Sequence, residues 1–153
     1  MSRYVQKSYN WAYGAVAAGA RMLPFLANDA QTKPVAEASR TIHQFVERLT
    51  LAAEEFRSLE AHLDLSLFGG AAMGVGEANG RLFAAIAESE AGHEKEARAE
   101  VRAACSKLSR VKTLLDAQSP IPYRHWFLNP WRYYPRRIGQ ALPSKGGLKK
   151  RDA

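Results

Sequence analysis

Residues 42–63 read IHQFVERLTLAAEEFRSLEAHL. Ile42, Phe45, Val46, Leu49, Ala52, Ala53, Phe56, Leu59 and Leu63 recur at spacings of three and four. Glu47, Arg48, Glu54, Arg57 and Glu60 occupy the other face. A stripe at that period is one side of an α-helix lying on a core. The pattern extends back to Val35, behind Thr32 as a candidate N-cap and Pro34 in the first turn. The expected helix covers about 34–66, roughly 45 Å at 1.5 Å per residue.

On its C-terminal side lies a glycine cluster: Gly69, Gly70, Gly74, Gly76 and Gly80. Each interior glycine weakens a helix by about 1 kcal/mol, so a flexible connection is favoured here. The competing possibility is close helix approach at the pairs Gly70/Gly74 and Gly76/Gly80. A second long helix is expected over about 78–118. Leu82, Phe83, Ile86, Ala97, Val101, Ala104, Leu108, Val111, Leu114 and Leu115 mark its apolar face. Its middle, Glu88 to Glu96, is almost wholly polar and is assigned to an exposed face. Ser119-Pro120 ends it, because proline disfavours helix at the residue before it.

Upstream, Arg3 to Leu26 reads as a further helix, broken near Pro24. No acid occurs before Asp29, whereas Arg3, Lys7 and Arg21 do. Basic, acid-poor and amphipathic describes a mitochondrial targeting segment. A secretory signal ending at Ala18-Gly19-Ala20 and a plain packed helix are the rival readings. No stretch has the roughly 20 apolar residues that a spanning helix needs.

The expected fold is all-α: a long antiparallel helical hairpin over 1–119 with an N-terminal helix (about 3–26) packed across it, followed by an extended, irregular tail over 120–153. Charge separates the two parts. Up to Ser119 there are 14 basic and 14 acidic residues; from Pro120 there are eight basic residues against Asp152 alone, which gives the whole net charge of +7. The tail also carries five of the seven prolines and six of the fifteen aromatics. Trp, Tyr and Arg dominate interface energetics. Tyr123, Arg124, Trp126, Phe127, Trp131, Arg132, Tyr133, Tyr134, Arg136 and Arg137 are therefore the candidate partner-binding residues. The competing possibility is a tail folded back on its own helices.

Signs of catalysis are weak. The glycine cluster lacks the Lys-Ser/Thr of a P-loop and the preceding strand of a dinucleotide fold. Glu90-Ala-Gly-His93 has the Glu-x-x-His spacing of di-iron bundles, but His43 and His62 bring no second such pair. Surface decoration is the simpler account. His43, His62, His93 and His125 show no zinc spacing, and no Gly-x-Ser-x-Gly occurs. Cys105, alone in the chain, reads as a small buried apolar residue. No catalytic residue, metal site, cofactor or small-molecule substrate is expected.

The expectation is a non-catalytic accessory subunit of a large organellar assembly, of the mitochondrial inner-membrane respiratory-chain or ATP-synthase kind. Its partners would be other protein subunits, with anionic lipid such as cardiolipin as a further contact. The alternative is an RNA-binding structural subunit, such as a mitochondrial ribosomal protein, using Arg with Tyr and Trp on phosphate and bases.

Overall fold

The computed structural model describes residues 3–28 and 33–124. Four helices carry the chain: α1 (Arg3–Met22), α2 (Ser39–Leu63), α3 (Ser66–Glu90) and α4 (Glu94–Gln118). Short 3-10 segments, Leu23–Ala27 and Val35–Ala38, lie between α1 and α2. Each helix packs on two others: α1 on α2 and α4, and α3 on α2 and α4. Links of two and three residues make α2, α3 and α4 antiparallel neighbours. Ser8 bonds Glu55 near the far end of α2, so α1 runs antiparallel to α2 as well. The all-α class is as expected, and its form is an up-down four-helix bundle.

The connections differ from the expected ones. Residues 67–80 are helical throughout, as the first half of α3. The turn out of α2 is instead Asp64-Leu65, with Asp64 in the left-handed region at φ 57°. Ala71, Ala72, Val75, Ala78 and Leu82 are buried, and this packing offsets the low helix propensity of the glycines. The expected helix over 78–118 is two helices, parted at Ala91-Gly92-His93, where Gly92 has φ +87°. Only glycine adopts that conformation without strain. Pro34 precedes a 3-10 turn, and α2 proper begins at Ser39. Thr32 lies outside the described residues.

The polar stretch around that turn is partly structural. Glu94 Oε2 accepts the Val35 N–H at 2.7 Å, and Ser89 Oγ accepts the Ala36 N–H at 2.9 Å. Ser89 in turn donates to Glu94 Oε1 at 2.6 Å. Helix starts leave N–H groups without intrahelical partners. Here side chains from α3 and α4 satisfy them across the bundle.

One glycine sets the α3–α4 distance. A Cβ at Gly74 would stand 2.6 Å from Val111 Cγ2, whereas one at Gly70 would meet nothing within 4 Å. Gly70→Ala is expected to raise stability by about 0.5–1 kcal/mol through helix propensity alone. Gly74→Ala gains the same amount but overpacks a core, at a cost of about 1–3 kcal/mol. Urea midpoints should therefore move in opposite directions. Equal shifts would show that α4 yields freely at Val111.

Candidate partner-binding site at the root of the tail

The bundle does not stop at Ser119. Ser119 Oγ accepts the Ile121 N–H at 3.0 Å and donates to the Ile121 carbonyl at 2.9 Å, which turns the chain back. Ile121 is buried. The next residues run along α1. Gln6 Nε2 donates to the Pro122 carbonyl at 2.8 Å and to Asn10 Oδ1 at 2.8 Å. Asn10 then holds both backbone groups of Arg124, accepting its N–H at 3.0 Å and donating to its carbonyl at 3.1 Å. A carboxamide used this way replaces the neighbouring strand that an extended segment would otherwise need.

Tyr123 completes the anchor. Its ring lies 4.5 Å from that of Tyr13, centroid to centroid. Tyr13 donates to Asp116 Oδ1 at 2.5 Å, and Lys112 Nζ lies 3.0 Å from Asp116 Oδ2. The Tyr13 bond, with Lys112 beside it, holds the Asp116 carboxyl below the usual aspartate range. Burial first, and then the bond to Asp116, raises the Tyr13 phenol. Burial likewise raises Tyr123, opposed by the charge of Arg21. All three groups keep their neutral-pH charge states, so the anchor persists at physiological pH.

Beside the anchor runs a groove of about 330 Å³. Trp11, Tyr13, Gly14, Ala15, Ala17, Ala18, Met22 and Tyr123 give it an apolar floor. Arg21, Arg48 and Lys112 also line it, with Asp116 against Lys112. Phe25, in the 3-10 segment after α1, is 68% exposed. The arrangement suits a ligand with an apolar body and a negative edge.

Of the residues expected to bind a partner, Tyr123 and Arg124 are placed here, and their backbone and ring contacts are with α1. Trp126, Phe127, Trp131, Arg132, Tyr133, Tyr134, Arg136 and Arg137 lie outside the described residues. Sequence reasoning missed Gln6, Asn10 and Tyr13. The available signal was a pair of carboxamides, Gln6 and Asn10, one turn apart in a helix whose other neutral polar side chain, tyrosines aside, is Ser8.

The weaker chemical candidates fall apart in space. Glu90 ends α3 and His93 precedes α4, so the two do not share a helical face. This corrects the spacing argument, which assumed one continuous helix. His93 Nδ1 lies 2.8 Å from Glu88 Oε1 instead. That bond raises the imidazole above its ordinary range. Burial pushes the Cys105 thiol up to about 11, which keeps it protonated and poorly nucleophilic at neutral pH. Among the described residues, no three His, Cys, Asp or Glu side chains could jointly hold a metal ion, and no helix is long and apolar enough to cross a membrane. Compared with protein-family models, curated proteins and solved structures, the chain matches none.

Proposed function

We propose that this protein is a non-catalytic structural subunit of a larger assembly, one associated with the mitochondrial inner membrane and of the respiratory-chain or ATP-synthase kind. The observation that carries the reading is the double hydrogen bond between Asn10 and Arg124. It fixes the chain at Arg124, and the residues that follow in sequence, 125–153, hold seven of the eight tail cations and five of its six aromatics. A binding segment with a fixed root loses less freedom when it engages a partner than one on a loose tether. The acid-poor start of the chain and the basic, aromatic tail support an organellar, membrane-adjacent setting.

The experiment is photocrosslinking from position 131, with benzoylphenylalanine in place of Trp131, in the native cell. Adducts to defined protein subunits are the expected result, and a separate chain that ends at Arg124 should no longer co-purify with those subunits. Ending at Arg124 rather than at Pro120 keeps Ile121 in the core and the Asn10 bonds intact, so circular dichroism should show an unchanged bundle. Adducts to RNA would move the assignment to a ribosomal subunit. Normal co-purification of the shortened chain with its complex would defeat the tail-clamp reading.

A further inference from the structure

The outward face of α3 is unlike the other surfaces of the bundle. Met73 and Phe83 stand 65% and 49% exposed, and between them Gly76 and Gly80 have open space where a side chain would be. Gly69, Met73, Gly76, Gly80, Phe83 and Ala87 follow spacings of four, three, four, three and four. That is the heptad seam of a coiled coil. The bundle itself leaves most of it uncovered: Gly69 is overlain by the Glu60 carboxylate from α2, and the Phe83 ring meets His43 edge-on at 5.8 Å on one side.

The seam is also symmetric. Ala78 is the midpoint of Ser66–Glu90. Counting outward from it, Gly76 mirrors Gly80, Met73 mirrors Phe83, and Gly69 mirrors Ala87. We propose that α3 is a self-pairing surface, on which a second copy of this chain packs its own α3 antiparallel about a two-fold axis at Ala78. Phe83 of each copy then meets Met73 of the other, and Gly76 facing Gly80 between them lets the two helices approach closely. A two-fold interface demands this self-complementarity, in which each patch meets its own image.

Charge fits the same register. The first turn of α3 has no acidic residue, and its N-cap, Leu65, makes no side-chain hydrogen bond. Its last turn contains Glu88 and Glu90, acids at the end where the helix dipole disfavours them. Glu88 is occupied by His93. Ser66 mirrors Glu90, so antiparallel pairing sets each Glu90 beside the first turn of the opposite helix, where a negative charge is favoured. The charges flanking the seam are met within one chain, Glu77 by Lys107 at 2.8 Å and Arg81 by Glu100 at 3.0 Å. They bring no uncompensated charge to the interface. The inference does not depend on the function proposed above.

With glycine or alanine at four of six seam positions, the contact is modest, and a Kd on the order of micromolar is expected. Sedimentation equilibrium of the full chain from about 1 to 500 µM spans that range. A monomer–dimer equilibrium is expected. Met73→Lys alone and Phe83→Glu alone should each weaken it at least about tenfold, since each buries an unpaired charge. The double variant Met73→Lys/Phe83→Glu should recover most of the loss, because the antiparallel register sets each new cation beside the new anion of the other copy. Circular dichroism checks that every variant keeps its helix content; the substituted positions are exposed in the monomer. A wild-type monomer at all concentrations overturns the proposal. So does a dimer indifferent to Phe83→Glu, or a double variant no better than the singles.

Discussion

Phe56→Ala is expected to destabilise the bundle by about 3–5 kcal/mol, the range for emptying a buried aromatic site. Phe56 is fully buried on α2, stacked on Phe68 of α3 at 6.3 Å between ring centroids. Tyr9 of α1 meets the same Phe68 ring edge-on at 6.0 Å. The three rings therefore join three helices at one level. Removing the Phe56 ring leaves a void against Phe68, which Tyr9 holds from its other side. Total stability for a domain of this size is about 5–15 kcal/mol, so the loss is a large fraction of it. The melting temperature should fall by roughly 10–20 °C. Phe25→Ala is the control: that side chain is mostly exposed, and the change should stay within about 0.5 kcal/mol. A loss below about 1 kcal/mol for Phe56→Ala would mean that the aromatic cluster does not hold the helices together.

The second large effect concerns a polar pair inside the same core. Ser8 Oγ donates to Glu55 Oε1 at 2.6 Å, and both residues are fully buried. Removing the donor of a buried hydrogen bond leaves its acceptor unsatisfied, at a cost of about 1–3 kcal/mol. Ser8→Ala should therefore cost about 1–3 kcal/mol in urea denaturation. Glu55→Leu should cost less, because the Ser8 hydroxyl can turn to a carbonyl of its own helix. The double variant Ser8→Ala/Glu55→Leu should lie near the wild type, since apolar replacement of a whole buried pair is often neutral or stabilising. The resulting coupling energy should exceed about 1 kcal/mol. A double variant as unstable as Ser8→Ala would show that Glu55 is held chiefly by other contacts.

This pair shows where the sequence could be read and where it could not. The stripe from Ile42 to Leu59 marks buried positions of α2 correctly, because hydrophobic periodicity reports burial directly. Glu55 breaks the stripe, yet it is buried, because α1 closes over a side of α2 that a two-helix hairpin would leave wet. The N-terminal helix was legible over about 3–26, but its register on α2 was not, because Ser8 and Glu55 meet from positions 47 apart. The α3–α4 turn was hidden by apolar positions that kept their phase on either side of Gly92. The glycine cluster misled for a related reason. Propensity weighs each residue alone, whereas Gly74 is placed by Val111, 37 positions later.

The tail divides in the same way. Its composition marks it as the candidate partner-binding part, and charge balance sets its start near Pro120. The packing of Ile121 and the Asn10–Arg124 bonds move the edge of the bundle a few residues further. Those contacts join positions more than a hundred residues apart. Only the folded chain brings them together.

The hydrogen bonds that Glu94 and Ser89 accept from the Val35 and Ala36 N–H groups bear on the order of folding. The 3-10 turn leading into α2 is completed by residues that the chain reaches more than fifty positions later. Residues 35–38 therefore cannot settle until the α3–α4 hairpin has closed and docked. Contacts of that separation raise the entropy of the search and tie the early and late parts of the chain into one cooperative unit. The local fraying expected of a short 3-10 segment is suppressed, and that end of the bundle opens together with the hairpin that caps it.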